Sequence, residues 1–249
     1  MNCPRCGILL HPDGSCPACP RAPLSTDAVG RVFRDPKRLT RWLCCLLIAC
    51  ILVDVLFGLT ALVQAYVISA ISEGSVPSRP VMVIATEASG LRRAFGNVAA
   101  LVPLSAMILW LIWTYRMSAN AHVLGGAGLR FTPGWAVGWY LVPLANLWVP
   151  YQAMSEIWRV SKNPARWQQE RTDRRMLWWW LTSVACVTVS NIHIGGPWPG
   201  YDALILNEQL GVVSALLGLV SAMLAFQIVR QIGAFQVEAA DRSLSAVFA

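Results

Sequence analysis

The sequence predicts an all-α polytopic membrane protein with a small zinc-binding unit at its N-terminus. Three observations carry this prediction. Apolar residues make up 56% of the chain and charged residues only 13%. Several uncharged stretches reach the roughly 20 residues that a helix needs to cross the hydrocarbon core of a bilayer. Two C-x-x-C pairs stand near the N-terminus, in a pattern typical of a zinc ribbon.

The N-terminal unit, residues 1–20, is predicted to hold a structural Zn2+ ion in a small hairpin. Its two cysteine pairs, separated by nine residues, comprise Cys3, Cys6, Cys16 and Cys19. A two-residue gap lets both sulfurs of a pair reach one ion, and four thiolates leave no open position for catalysis. The alternatives are two disulfides or a redox motif. The chain opens without a signal-peptide stretch, so we expect a reducing compartment, and a redox motif would need a βαβ context.

Residues 21–40 are predicted to form a basic linker before a transmembrane helical domain at 41–235. Much of the net charge of +7 comes from Lys and Arg next to apolar stretches. Such residues favour the cytoplasmic side and contact anionic lipid headgroups. No basic patch is interleaved with an RNA-stacking motif, so we do not expect a nucleic-acid partner. The lipid bilayer is the expected surrounding of a multi-pass cell-membrane protein whose N-terminus is cytoplasmic.

The helical domain is predicted to contain four to five transmembrane helices and to end in a short tail at 236–249. The apolar segments cover about 42–68, 94–115, 134–150, 176–194 and 209–231. The polar stretches at 73–93 and 116–130 are predicted to be connections, since they lack an apolar face.

Asp54 is an ionisable residue well inside the first apolar segment. A carboxylate at this depth is costly, so Asp54 is a candidate functional residue. The alternative, which the sequence favours, is a structural carboxyl that faces the helix bundle. It would be protonated or hydrogen-bonded to Gln64, Gln227 or Asn191, because no Lys or Arg is expected at the same depth.

The stretch from Thr132 to Tyr151, TPGWAVGWYLVPLANLWVPY, combines an apolar helix with helix-breaking prolines. Thr132 is suited to be an N-cap and Pro133 to be the first helical residue. The helix is expected to break near Pro143–Asn146, where Asn146 is a candidate polar site. Gly134 and Gly138 have the spacing of a small-residue packing face. Residues 154–162 are predicted to form an amphipathic helix at the membrane surface.

The longer stretch TPGWAVGWYLVPLANLWVPYQAMSEIWR, at residues 132–159, resembles the signature of a bacterial membrane family, domain of unknown function family 4328. The resemblance covers roughly residues 90–240. It implies a multi-span helical domain, preceded in some members by a zinc ribbon. It implies no activity, substrate or catalytic residue.

Two topologies compete for the uncharged run of 25 residues from Phe131 to Ser155. As one crossing helix, the run gives five spans and puts the following basic residues outside. As a broken or re-entrant segment, it gives four spans and puts both termini in the cytoplasm. The second topology obeys the positive-inside rule, and we prefer it.

The sequence predicts no enzyme, because it contains no recognisable catalytic motif and its three histidines stand in different regions. Three functional hypotheses follow. The first is a membrane-embedded adaptor or regulator that binds a cytoplasmic protein partner through the ribbon. The second is a small-molecule or lipid transporter with a site near Pro143–Asn146, lined by Asn146 and Asp54. The third is a structural membrane protein. The adaptor ranks first, because the ribbon is the most definite chemical feature.

Overall fold

The computed structural model describes residues 31–125, 128–192, 194 and 200–248. The predicted ribbon at 1–20 and residues 21–30 of the predicted linker lie outside the described residues. The described part of the chain is helical and contains no strand. Its α-helices are α1 Lys37–Ser72, α2 Arg79–Val123, α3 Pro133–Gly138, α4 Val149–Lys162, α5 Arg174–Ser190 and α6 Tyr201–Phe248. Short 3-10 helices occur at Trp139–Leu141, Ala145–Leu147 and Trp167–Gln169.

Within the described residues, three helical stretches are long and apolar enough to cross a membrane. They are Lys37–Ser72, Ala100–Val123 and Tyr201–Arg242. This agrees with the predicted membrane character of the chain. Helix α5 has 17 residues and is therefore about 25 Å long, slightly less than a typical hydrocarbon core. A count of four or five spans stays a prediction.

Helix α2 corrects the predicted connections, because it begins at Arg79 and continues to Val123. It therefore includes most of 73–93 and half of 116–130. The predicted connections were placed where apolar periodicity is lost, but residues 79–93 are rich in good helix formers such as Ala, Met, Glu and Arg. The chain turns at Gly74, whose φ of 74° is left-handed. There, Ser75 N–H donates to the Ala70 carbonyl and Gly74 N–H to the Ile71 carbonyl, which is a Schellman motif.

The described chain divides into two compact units. The signature unit, so named because it contains the stretch 132–151, comprises residues 31–40, 112–172 and 231–248. The helical unit comprises the described residues of 41–111 and 173–230. The predicted transmembrane domain at 41–235 therefore contributes to both units, and α1, α2 and α6 each supply residues to both.

The core of the signature unit is built around α4. Met154, Ile157, Trp158 and Val160 are all buried. Glu156 is also buried, with 4% of its surface exposed, and its carboxylate accepts the backbone N–H groups of Arg130 at 3.1 Å and Phe131 at 3.4 Å. The amphipathic helix predicted at 154–162 is confirmed as part of α4, although Glu156 of its polar face is buried and holds the preceding chain. The position of this helix at the membrane surface stays a prediction.

A buried polar network ties the N-terminal segment of the signature unit to its helices. The side chain of Asn120 accepts the Arg34 N–H at 3.1 Å and donates to the Arg34 carbonyl at 2.8 Å. It also donates to Gln236 Oε1 at 2.9 Å. Gln236 Nε2 donates in turn to the Met117 carbonyl at 2.9 Å and to Ser161 Oγ at 3.0 Å. The side-chain amides of Asn120 and Gln236 thus join α2, α4 and α6 to the segment that precedes α1.

The stretch 132–151 is an interrupted helix. Thr132 caps α3 by accepting the Trp135 N–H at 3.4 Å, as its sequence predicts. Helix α3 ends at Gly138, and α4 begins at Val149. Between them, Leu144 has a φ of 65°, and Ala145 N–H donates to the Pro143 carbonyl at 2.8 Å. This geometry is the rare and strained γ-turn.

In the helical unit, α1 and α6 pack closely through small residues. The contacts pair Asp54 with Gly218, Gly58 with Ala215 and Ala61 with Gly211. Residue numbers rise along α1 while they fall along α6, so the two helices are antiparallel. Small residues allow close approach of membrane helices. At the predicted packing face, a Cβ at Gly134 would meet nothing within 4 Å among the described residues, and a Cβ at Gly138 would meet Trp135 of the same helix.

Candidate ligand-binding cavity

The helical unit contains a cavity of about 520 Å³. This volume lies within the range of small-molecule sites, which are mostly apolar with a few polar groups. The cavity is formed by α1, α2 and α6 together with the end of α5 and the residues that follow it. Most of its described lining is apolar, and its ionisable members are Asp54, Arg92 and Glu208.

Asp54 lies where α1 contacts α6, and the absence of a side chain at Gly218 leaves room for the Asp54 carboxylate. A Cβ atom at residue 218 would lie only 2.8 Å from Asp54 Oδ2 and 3.1 Å from Asp54 Cγ. Carbon and oxygen cannot approach so closely without a shift, so any side chain at 218 would displace the carboxylate. The carboxylate therefore packs against the α6 backbone at the edge of the cavity.

The amide partners predicted for Asp54 are engaged elsewhere. Gln64 donates to the Ala85 carbonyl at 2.8 Å, and Gln227 accepts from Arg175 at 3.3 Å. Asn191 donates to the Val187 carbonyl at 2.7 Å. Among the described residues, no hydrogen bond or ion pair involves the Asp54 carboxylate. The predicted amide partners were wrong, because proximity between helices cannot be deduced from composition alone.

Arg92 and Glu208 form an ion pair at the cavity, and this pair is not among the sites predicted from the sequence. Arg92 Nη1 lies 3.0 Å from Glu208 Oε2, and their side chains are 37% and 20% exposed. Arg92 falls in the stretch 73–93, which is predicted to be a polar connection, so the sequence predicts no cation in a cavity with Asp54. The missed signal is the helical spacing of Arg92, Gly96, Ala100 and Pro103, which places them on one face of α2.

The ion pair and Asp54 lie at different heights of the cavity. Asp54 faces Gly218 on α6, and Glu208 precedes Gly218 by ten residues. This separation is about 15 Å along a helix. Next to Glu208, the Asn207 side chain accepts the Ile194 N–H and donates to the Ile194 carbonyl, both at 2.9 Å. Asn207 thereby fixes the chain after α5 beside the end of the cavity that carries the ion pair.

Asn146, the other predicted polar site, belongs to the signature unit. Its backbone N–H donates to the Val142 carbonyl at 2.9 Å, and its residue is half-buried. Asn146 is not among the residues that line the cavity. The structure therefore does not bring Asn146 and Asp54 into one described cavity.

The predicted zinc ligands Cys3, Cys6, Cys16 and Cys19 lie outside the described residues. The described cysteines, Cys44, Cys45, Cys50 and Cys186, are free thiols. Within the described part of the chain, no group of three or more His, Cys, Asp or Glu side chains is arranged to hold a metal ion.

Long apolar helices that enclose a ligand-sized cavity with ionisable groups are typical of integral membrane proteins. A comparison with protein families places the chain more specifically. The chain belongs to the family described as Domain of unknown function (DUF4328), whose model matches residues 80–234. This match confirms the family resemblance of the stretch 132–159. No curated protein and no solved structure matches the chain.

Proposed function

We propose that this protein binds a small molecule in the cavity of the helical unit, as the substrate site of a membrane transporter. The observation that carries the proposal is the cavity of about 520 Å³ with Asp54, Arg92 and Glu208 in its lining. Ionisable residues in a membrane domain are costly and mark substrate or ion pathways. An apolar chamber with a few convergent polar groups is the usual form of a ligand site.

This proposal moves the transporter site that the sequence suggested. From the sequence, that site is predicted near Pro143–Asn146, because a broken helix exposes backbone polar groups. In the described structure, Asp54 lines the cavity and Asn146 does not. We therefore assign binding to the faces of α1, α2 and α6 that surround Asp54. The interrupted helix of the signature unit is not part of this site, and it bears on a different question, the number of times that the chain crosses the membrane.

Two glycines of α2 offer a matched test. Gly96 lines the cavity and Gly90 does not, and a Cβ at either position would meet nothing within 4 Å. We expect Gly96→Phe to fill the cavity and Gly90→Phe to leave it open. The proteins would be purified in lipid nanodiscs from the native membrane, and bound small molecules would be extracted and identified by mass spectrometry. A small molecule other than phospholipid that is retained by the wild type and Gly90→Phe but lost from Gly96→Phe supports the proposal. Identical contents in all three would refute it.

A second candidate function is the adaptor, which the cysteine spacing supports. Cys3, Cys6, Cys16 and Cys19 have the ligand spacing of a structural Zn2+ site. A ribbon there would present a rigid surface to a cytoplasmic protein partner. Such a unit is too short to build a core, so its folding free energy would come from the metal. In this proposal, as in the first, the protein is not an enzyme.

Elemental analysis of the purified full-length chain tests the ribbon. We expect one zinc per chain, lost in Cys16→Ser and retained in Cys45→Ser, a free and exposed thiol outside the ribbon. Deletion of residues 1–30 should then abolish co-purification of the partner. A wild-type chain without zinc under reducing conditions, or a partner retained by the deletion, would contradict the adaptor.

We also propose that the protein is a multi-pass protein of the cell membrane with both termini in the cytoplasm. The basic residues before α1 and between α4 and α5 support this orientation, because Lys and Arg favour the cytoplasmic side. The apolar helices support the multi-pass character.

A further inference from the structure

The charges that face the cavity do not balance. Of its described lining residues, Arg92 is basic, and Asp54 and Glu208 are acidic. Arg92 Nη1 donates to Glu208 Oε2 at 3.0 Å, so these two groups neutralise each other. The Asp54 carboxylate lies about 15 Å from that pair along α6 and has no cation among the described lining residues. The Asp54 carboxyl therefore has no partner of opposite charge in the described lining.

We propose that the cavity takes an organic monocation, whose ammonium group binds the Asp54 carboxylate and whose apolar body extends towards Arg92 and Glu208. This inference rests on the proposed function and names its ligand class. Asp54 is half-buried. A half-buried carboxylate without a counter-charge is costly, and a ligand that brings the opposite charge removes that cost. An anionic ligand would meet the same carboxylate and be repelled.

The lining favours an amphiphilic cation over a metal ion. Phe57 lies three residues after Asp54 on the same face of α1 and also lines the cavity, so its ring can add a cation–π contact. Ala61, Ala100 and Leu210 supply apolar surface along the chamber. A cation such as Ca²⁺ needs six to eight oxygen ligands at about 2.4 Å, and a cavity of about 520 Å³ is far larger than one ion.

Three small ligands that differ only in their head group test the inference. They are phenethylamine, which is cationic at neutral pH, phenethyl alcohol, which is neutral, and phenylacetate, which is anionic. Binding to the full-length protein in nanodiscs would be measured by isothermal titration calorimetry, with empty nanodiscs to correct for partition into lipid. We expect the wild type to bind phenethylamine at least tenfold more tightly than phenethyl alcohol, and phenylacetate no more tightly than the alcohol.

The variants Asp54→Asn and Gly218→Ala identify the group responsible. Asp54→Asn keeps the shape of the side chain, so phenethylamine affinity should fall at least tenfold to the level of the alcohol, while alcohol binding stays unchanged. If Asp54→Asn does not fold, Gly218→Ala is the second variant, because its methyl group displaces the carboxylate. Gly90→Ala, whose Cβ meets nothing within 4 Å, is its control and should bind like the wild type.

The outcomes separate this inference from the proposed function. Equal binding of amine and alcohol, or an amine affinity that Asp54→Asn leaves unchanged, overturns the choice of a cation. No binding of phenethylamine overturns it as well, while the comparison of Gly96→Phe with Gly90→Phe still decides whether the cavity binds a small molecule. If only phospholipid is retained in the cavity, and no amine displaces it, both proposals are wrong.

Discussion

Replacement of Asn120 by alanine should destabilise the signature unit and release the segment before α1. The Asn120 side chain is 1% exposed and makes three hydrogen bonds, two with the Arg34 backbone and one with Gln236. Alanine removes all three bonds but little apolar surface. The change in the free energy of unfolding therefore measures the lost hydrogen bonds rather than lost apolar packing.

The size of the stability loss in Asn120→Ala follows from the hydrogen bonds that Arg34 and Gln236 each lose. Arg34 is an exposed residue, so water can replace Asn120 at its backbone, and each of those bonds contributes about 0.5–1.5 kcal/mol. Gln236 is fully buried, and an unpaired acceptor there costs about 1–3 kcal/mol. Asn120→Ala should therefore lower the free energy of unfolding by about 2–6 kcal/mol.

Unfolding in mixed micelles, followed by tryptophan fluorescence, measures the global effect, and hydrogen exchange of residues 31–36 measures the local one. Asn191→Ala is the matched control. The Asn191 side chain donates to the Val187 carbonyl on an exposed residue, so this change should stay within about 0.5 kcal/mol. If Asn120→Ala behaves like Asn191→Ala and the exchange of 31–36 is unchanged, the network does not hold the segment.

Three further predictions concern the signature unit. Glu156→Ala should destabilise the signature unit by about 2–4 kcal/mol in thermal denaturation, because two backbone N–H groups lose the carboxylate that accepts them. Glu156→Gln keeps one acceptor oxygen and should therefore destabilise the unit less. Leu144→Gly should stabilise it by about 1 kcal/mol by relieving a positive φ, whereas Leu147→Gly, in a 3-10 helix, should not. Hydrogen bonds from Lys162 and Asn163 hold the pKa of Glu170 in the folded protein below its ordinary value. The stability that these hydrogen bonds contribute is therefore present above the ordinary pKa of Glu170. It is lost as the pH falls through the pKa of Glu170 in the folded protein. Glu170→Gln should weaken the dependence of the unfolding free energy on pH, which acid denaturation measures. An unchanged pH profile in this variant would contradict the prediction.

Local features of this chain were predictable from sequence, whereas its long-range pairs were not. Thr132 was recognised as a cap, and the break near Pro143 was expected, because proline and capping residues act on their immediate neighbours. Asp54 was recognised because a charge inside an apolar run is visible without a fold. Asn120 and Gln236 were missed, since they are 116 residues apart and nothing local marks either amide as buried.

The ion pair of Arg92 and Glu208 was missed for a different reason. Polarity was taken as evidence for a connection, but a polar stretch of good helix formers continues a helix as readily as an apolar one. Once α2 is known to begin at Arg79, the helical spacing places Arg92 on the face of Gly96 and Pro103. An error in one helix boundary thus concealed the basic residue of the cavity.

The last prediction concerns the number of spans, on which the contacts of α1 with α6 bear directly. These helices are antiparallel, since Asp54 meets Gly218 and Ala61 meets Gly211. If both cross the bilayer, the start of α1 and the end of α6 are on the same side, which requires an even number of crossings. Four crossings by α1, α2, α5 and α6 satisfy this condition. Five crossings, with 134–150 as a span, and three crossings without α5 would each make α1 and α6 parallel.

Single cysteines at Ser78, Ala165 and Tyr201, on a background without the reactive native thiols, test this topology, because all three positions are exposed. With four crossings and a cytoplasmic N-terminus, an impermeant thiol reagent in intact cells should label Ser78→Cys and Tyr201→Cys but not Ala165→Cys. Ser78→Cys is the positive control, because the first connection is external in both topologies. The basic residues between α4 and α5 would then stay inside, as the positive-inside rule requires. Labelling of Ala165→Cys without Tyr201→Cys would mean that the segment 134–150 crosses the bilayer, and the argument from the antiparallel helices would be wrong.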